Sequence, residues 1–479
     1  MIKSAPRSLA CLLLASGVLS GCSMAPRYAR PDAPVASAYP DNPAAQATAP
    51  TALSASEIGW REFFPDQRLQ ALIAAALENN RDLRVAALRI EEARAQYNIQ
   101  SADLLPNLNA TASGTRARTP SSVSFTGASI LTSNYQVGLS LASFELDFFG
   151  RVRSLNNAAL AQYLATAEAR QAAQISLVAE VAKAYLAERA FAEQLALAKS
   201  TLEGRQTAYD FAKQRFEVGA SSALDLRLSE TLMQSARVTY LTLVRQRAQA
   251  ENALTLLVGK PLTDLPPAQA LSAQNIVTDI PAGLPSDLLE RRPDIRAAEQ
   301  RLQAANANIG AARAAFFPRI SMTAGVGTAS NALSGLFDAG SRAWSFVPQL
   351  VLPIFDAGRN SGNLKLAEVR TDAAVAEYEK TIQIAFREVA DALVARATVD
   401  EQIDAQRAVQ EAQAERLKLA DLRYQNGIAS SLEVLDAQRE LFSAEQSLVQ
   451  ARLLRLTNAI DLYRSLGGGL HESVAVAEK

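Results

Sequence analysis

The sequence predicts an α+β fold made of two copies of one plan, each a short helix, a β-hairpin and a very long helical hairpin. Three observations predict it. The first is repetition. A segment running from Asp82-Leu83-Arg84 to Leu104-Leu105-Pro106 returns as Asp294-Ile295-Arg296 to Phe316-Phe317-Pro318, roughly 210 positions later, with Arg89, Ala93 and Ala95 matched by Arg301, Ala305 and Ala307. At a similar offset Arg215-Phe216-Glu217-Val218-Gly219 is matched by Arg423-Tyr424-Gln425-Asn426-Gly427. The second is a change of hydrophobic period, to two, straight after Pro106 and Pro318. The third is the absence of proline from Arg151 to Lys260 and again from Asn360 to Leu466, which leaves each run free to be helical throughout.

The elements follow in chain order. Lys3 and Arg7 precede a short apolar run, Leu9 to Leu19, too short to cross a bilayer and shaped like an export signal. The run ends in Leu19-Ser20-Gly21-Cys22, which resembles the lipobox of bacterial lipoproteins. That resemblance implies cleavage after a signal peptide of residues 1–21 and a diacylglycerol and N-acyl chain on Cys22. It also implies export to the outer membrane, because Ser23 stands where a retention signal would have aspartate. The other cysteine, Cys11, falls in the removed segment, so the mature chain is expected to have neither disulfide nor free thiol. Residues 22–59 form an acylated tether, rich in Pro, Ala, Ser and Thr over 26–56 and without apolar periodicity. Folding is expected to begin near Trp60, Phe63 and Phe64.

The first repeat occupies 60–285 and the second 286–466, with 467–479 as a C-terminal tail. In the first, Leu108, Ala110 and Ala112 alternate, then Tyr135, Val137, Leu139 and Leu141, for a hairpin over about 106–149. In the second, Ile320, Met322, Ala324 and Val326 alternate, then Trp344, Phe346, Leu350 and Leu352, for a hairpin over about 319–354. These stretches are about the ten residues that a membrane-crossing strand needs. The helices that follow, 151–218 and 360–426, would each be roughly 100 Å long, and the returning helices 221–258 and 430–466 about 56 Å. The short helices 82–104 and 294–317 add about 35 Å, so a short and a returning helix together match a long one.

Each long helix is expected to turn at a glycine. Gly219 and Gly427 suit the position after a helix end, where the left-handed conformation costs glycine little. Ser222 to Asp225 and Ser430 to Glu433 have the spacing of capping boxes that restart the chain as a helix.

Composition removes most other functions. Lys and Arg number 48 against 49 Asp and Glu, for a net charge of -1, whereas nucleic-acid binding relies on an excess of cations. Aromatics at 6% are too few for base-stacking platforms. His471 is the only histidine, which leaves nothing for a histidine metal site or a catalytic triad. Gly325-Val-Gly327 lacks the spacing of a nucleotide loop. No enzyme, no metal and no cofactor beyond the acyl chains is expected.

Four strands do not close a membrane barrel, and an open sheet in lipid would leave its edge groups unpaired. The chain must therefore oligomerise if its strands enter a membrane. A dimer supplies eight strands and a trimer twelve, and spacing alone does not choose between them.

The lipobox, the duplicated plan, the run Leu288-Leu289-Glu290-Arg291-Arg292-Pro293-Asp294-Ile295, and Tyr424 to Gly427 with Leu432 to Asp436 together resemble the outer membrane factor family, the TolC-like channels, in its lipoprotein branch. The resemblance covers essentially the whole mature chain. It implies a homotrimer in which the strands build a twelve-stranded barrel continued by a helical tunnel. It further implies a periplasmic adaptor and a proton-driven inner-membrane pump as partners, outer membrane lipid around the barrel, and an outer membrane location reaching into the periplasm.

Matched residue by residue, Asp436 takes the place of an aspartate that rings the tunnel constriction and Leu432 that of an apolar ring beside it. Glu433 falls where TolC has a further pore aspartate. Tyr424 and Asp225 match a tyrosine and an aspartate that tie neighbouring helices, and the turns at Gly219 and Gly427 are the tips where an adaptor would dock. Ala429 stands where TolC has a locking arginine, so that lock is not carried over. Two plainer roles compete: Glu433 as a helix cap, and Asp436 as a surface residue paired with Arg439 at i,i+3. The resemblance implies passive efflux of drugs or other toxic small molecules. The competing readings are protein secretion through the same kind of duct, and a non-conducting trimeric structural lipoprotein.

Overall fold

The computed structural model describes residues 23–39, 54–125, 127–277, 280 and 285–472. The signal segment, Cys11 and Cys22 lie outside the described residues. In order, the elements are α1 (Trp60–Phe63), α2 (Gln67–Asn79), α3 (Arg81–Ala102), β1 (Leu108–Thr119), β2 (Ile130–Leu146), α4 (Arg151–Glu217), α5 (Ala223–Val258), α6 (Asp287–Arg291), α7 (Pro293–Ala314), β3 (Arg319–Ser330), β4 (Arg342–Val351), α8 (Arg359–Gln425) and α9 (Ser431–Ser465). The long helices α4 and α8 are both 67 residues, which makes the repeat a structural one. The chain forms two compact units. One takes in the described residues of 23–32, 89–167 and 297–378; the other takes in those of 33–88, 168–296 and 379–472.

The first unit holds one antiparallel sheet in the order β1-β2-β3-β4. Its register sorts most of the side chains. Leu108, Ala110 and Ala112 lie opposite Leu141, Leu139 and Val137. Leu139 lies opposite Val326, and Val326, Ala324 and Ile320 lie opposite Trp344, Phe346 and Leu350. Because side chains alternate along a strand while cross-strand partners share a face, all of these fall on one apolar face. The other face carries Asn109, Thr111, Gln136, Ser140, Thr323 and Gln349, and its only charged residues are Glu145 and Arg319 at the end nearest the helices.

On that polar face Gly138 and Gly327 are directly opposed. A Cβ on Gly138 would come within 2.5 Å of the Val326 carbonyl oxygen, and one on Gly327 would strike the Val137 carbonyl oxygen. Backbone on both sides leaves nothing flexible to yield. Gly327→Ala is therefore expected to cost about 1–3 kcal/mol through overpacking. Heat-resistant oligomer on a gel should fall well below the level seen for Gly362→Ala, where the added carbon meets nothing within 4 Å.

The end of the sheet nearest the helices is pinned by Glu145, which accepts two hydrogen bonds of 2.8 Å from Arg151 and pairs with Arg319 at 2.6 Å. A bulge between Leu141 and Phe144, with Ser143 at φ 45°, bends β2 just above this point. Phe149 stacks on Phe317 at 4.8 Å. The segment read as an extended tether lying over the folded part is held by specific bonds where it is described. Arg30 forks onto Glu299 at 2.8 and 2.9 Å, and Tyr28 donates to the same carboxylate at 3.0 Å. Asn306 donates to the Pro26 carbonyl at 3.0 Å, and Gly310 leaves the space in which Ala25 sits.

The second unit is built on an aromatic core. Trp60, Phe63 and Phe64 are all buried, and Phe63 stacks on Tyr463 at 3.9 Å. Buried Asp66 caps α2 through the Arg68 and Leu69 amides and also accepts from the Tyr185 hydroxyl at 2.8 Å and Gln274 at 2.6 Å. Burial and the Asp66 carboxylate push the Tyr185 phenol well above its usual range. The stretch read from sequence as a C-terminal tail belongs to this core as far as Glu472. Gly467, Gly468 and Gly469 are buried, and the amides of Trp60 and Arg61 donate to the carbonyls of His471 and Glu472 at 2.9 and 3.1 Å. Arg292, from the Glu-Arg-Arg-Pro-Asp run, is buried and donates to Asp294, Glu388 and the Ser465 carbonyl.

Candidate functional site: the helical tips

The tips of both helical hairpins lie in the second unit and turn in the same way. Gly219 has φ 74° and Gly427 φ 70°. Around them the Ala220 amide donates to the Arg215 carbonyl at 2.7 Å, and the Ile428 amide to the Arg423 carbonyl at 2.9 Å. These six-to-one bonds satisfy carbonyls that the helix ends leave open. Val218, Leu224, Ile428 and Leu432 are exposed around the two turns, so each tip shows water an apolar patch.

The two restarts differ. Ser222 and Asp225 form a reciprocal capping box, and the Ser222 hydroxyl also donates to the Asp225 carboxylate at 2.8 Å. The box expected at Ser430 and Glu433 is absent: the Ser430 side chain caps nothing. The Glu433 carboxylate instead lies 3.8 Å from the Arg423 guanidinium. The physical reason is competition. A cation at the end of α8 draws the carboxylate away from its own helix start, a stronger pull than a neutral cap supplies.

Beneath the second tip Ala420, Val434 and Ala437 form a small core, with Leu417 and Tyr424 packed against it. That packing turns Leu432, 58% exposed, and Asp436 to the opposite side of α9, one turn apart on a shared face. Asp436 is not bare. It accepts from Arg439 at 2.6 Å and from Arg416 of α8 at 2.7 Å, and Arg439 also reaches Glu440. The i,i+3 pairing with Arg439 was visible in the spacing. The bond from Arg416, twenty positions earlier and across the turn, was not.

Tyr424 is half-buried and its hydroxyl accepts from Arg215 of α4 at 3.2 Å. It thereby links the two hairpins of one chain. Asp225 is engaged in its own cap, and no hydrogen bond joins it to Tyr424 among the described residues. A further cation lies near this cluster. Arg205 is buried, its Nη1 finds no hydrogen-bond partner among the described residues, and burial, then the charge of Arg439, hold its guanidinium below the usual arginine range. Periodicity gave no hint of it. Nor did it reveal a groove of about 900 Å³ lined by Gln194, Gln246, Gln402, Gln406, Gln446 and Gln450. Those glutamines come from α4, α5, α8 and α9, and only packing collects them.

The sequence model of the outer membrane efflux protein family matches this chain twice, over residues 72–260 and 284–468. The chain is 48% identical over 474 residues to the antibiotic efflux pump outer membrane protein ArpC of Pseudomonas putida, covering 99% of this chain and 98% of the relative. It is 49% identical over 461 residues to the outer membrane protein OprJ of Pseudomonas aeruginosa, covering 96% and 95%. Among solved structures, the open state of the Neisseria gonorrhoeae MtrE outer membrane channel is similar with a TM-score of 0.85 at 43% identity, covering 95% of this chain and all of that one. The CusC structure, described as one of folding and transmembrane channel formation, is similar with a TM-score of 0.82 at 43% identity, covering 93% and 100%. The two matched stretches are the two repeats read from the offset glycines and prolines, and the chain belongs to the outer membrane efflux protein family.

Proposed function

We propose that this chain is the outer membrane exit channel of a tripartite efflux system, conducting small toxic molecules passively to the exterior. The observation that carries the reading is the sheet. It has one largely apolar face, one polar face whose only charges are the paired Glu145 and Arg319, and two open edges. Such a sheet is stable in lipid only when its edges are paired into a closed barrel, with the apolar face outward. Three copies supply twelve strands. The polar face then lines a lumen whose only strand charges are the mutually paired Glu145 and Arg319 at its helix end, which suits a duct that passes chemically varied cargo. No helix among the described residues is long and apolar enough to cross a membrane.

Relatives named for antibiotic and toluene efflux favour small apolar cargo over secreted protein. A periplasmic adaptor would meet the exposed apolar tips around Gly219 and Gly427, with a proton-driven inner-membrane pump beyond it. Leu432 and Asp436 form the closing rings, and Tyr424, Glu433 and Asp225 hold the tip helices in place. An adaptor opens the gate only if it binds the splayed tips more tightly than the closed ones. The test is complementation. A host lacking its own exit channel but keeping pump and adaptor should regain toluene and antibiotic tolerance when given this chain. Restored secretion of a protein toxin without restored tolerance would support the secretion reading instead.

The acyl chains on Cys22 are proposed as a supplementary anchor. Cys22→Ser should slow assembly yet leave an inserted trimer, because a closed barrel buries far more apolar surface than three acylated termini do. Membrane fractionation checks this. Recovery of the variant as a folded, soluble monomer would sink both the barrel and the oligomer.

A further inference from the structure

The strands carry five charged residues, and their placement is uneven. Glu145 and Arg319 pair with each other where the sheet meets the helices. The other three are Arg116 and Arg118 on β1 and Arg342 on β4. All three are exposed, and none makes a side-chain hydrogen bond or an ion pair among the described residues. The carboxylate closest in sequence, Asp338 in the β3–β4 connection, makes no ion pair with Arg342.

Register puts all three on the apolar face. Arg116 and Arg118 continue the alternation of Leu108, Ala110 and Ala112, while Arg342 precedes Trp344, Phe346 and Leu350. An arginine on the lipid side of a barrel is costly at mid-membrane and nearly free at the interface. Height decides which applies here. Arg116 stands eight residues above Leu108 on β1, and Arg342 eight above Leu350 on β4. At about 3.4 Å per residue and a strand tilt near 40°, that is roughly 20 Å of height, and about 26 Å for Arg118. The apolar band of such a barrel is about 25 Å tall. The guanidiniums therefore emerge at its outer rim, on the side of the β1–β2 and β3–β4 connections, away from the helices. Trp344 and Tyr135 lie on the same face just below them, where amphipathic rings mark a headgroup boundary.

We propose that Arg116, Arg118 and Arg342 form a binding site for the phosphate groups of a phosphorylated lipid in the outer leaflet, with its acyl chains against the apolar band around Val137, Leu139 and Trp344. This rests on the barrel reading above. Guanidiniums suit the ligand because their planar fork matches phosphate oxygens two at a time. Assembly would complete the site. β1 and β4 are the two edges of one chain's sheet, so joining copies edge to edge places Arg342 of one beside the β1 arginines of the next. Three cations near one another with no acid among them call for an external anion, and an anionic headgroup at that level supplies it.

The test uses the full chain, purified as trimer in neutral detergent and stripped of lipid. Native mass spectrometry would follow binding of lipid A carrying two phosphates, of the same lipid with its phosphates removed, and of inorganic phosphate. The wild type should prefer the phosphorylated lipid by at least roughly tenfold. Arg116→Gln/Arg118→Gln/Arg342→Gln should lose that preference while keeping its trimer and its conductance in planar bilayers, since none of the three faces the lumen. A triple variant that keeps the preference overturns the site. So does a wild type that binds both lipids alike, or one whose lipid is displaced by millimolar phosphate, which would mark a site for any small anion. A wild-type chain that opens no bilayer channel would sink the barrel reading itself, a result distinct from a working channel without lipid preference.

Discussion

In a planar bilayer, trimers of Leu432→Ala/Asp436→Ala are expected to conduct about an order of magnitude more than wild type and to shift from cation towards anion preference. The two substitutions act differently. In the proposed gate Leu432 supplies an exposed apolar ring, and its removal is expected to let water and ions through a constriction otherwise closed by dewetting. Asp436 is paired with both Arg416 and Arg439. Alanine there leaves Arg416 without its carboxylate and Arg439 with Glu440 alone, which in a trimer makes the axis more positive and draws anions. The wild-type ring is expected to be nearly closed. Leu432→Ala alone should raise conductance with little change in selectivity, because the clamp around Asp436 survives. A double variant that still forms trimers, with conductance and selectivity unchanged, would place the gate elsewhere.

Arg292→Ala is expected to be the most damaging single substitution, costing about 3–5 kcal/mol. Arg292 is buried and donates to Asp294, Glu388 and the Ser465 carbonyl. Arg464 shares Glu388 at 3.1 Å, so one carboxylate partner keeps a cation, but the Ser465 carbonyl loses this donor and a cavity opens beside the end of α9. Denaturant unfolding of the trimer should show the midpoint falling sharply. Arg292→Lys should recover only part of the loss, since an ammonium cannot fork onto Asp294 while reaching Glu388 and the carbonyl. Equal stability for wild type and Arg292→Ala would mean that these bonds contribute nothing net.

Much of the fold was legible without coordinates. Strands were readable at Leu108 and Val137 because alternation is a property of neighbours along the chain, and the turns at Gly219 and Gly427 because a left-handed residue leaves a local mark. The placement of the proposed gate residues was legible in part. Leu432 and Asp436 share a helix face by their spacing of four, and Arg439 could be paired with Asp436 by its spacing of three. The second capping box was misread for a matching reason. Spacing permits Ser430 and Glu433 to cap one another, but it does not register Arg423 arriving from the preceding helix.

What the sequence by itself determined is therefore everything governed by near neighbours: the period of each element, the helix ends, the duplication, and the apolar and polar faces of each strand. The tertiary structure alone decided which charged groups distant in sequence meet. Arg416 reaches Asp436 across a turn, Tyr28 and Arg30 reach Glu299 some 270 positions away, and the last glycines fold under Trp60 and Tyr463. It also decided that β2 pairs with β3, joining the two repeats into one sheet. The physical reason is range. Backbone preferences and side-chain periodicity act over a few residues, whereas an ion pair or a strand pairing depends on where distant segments pack.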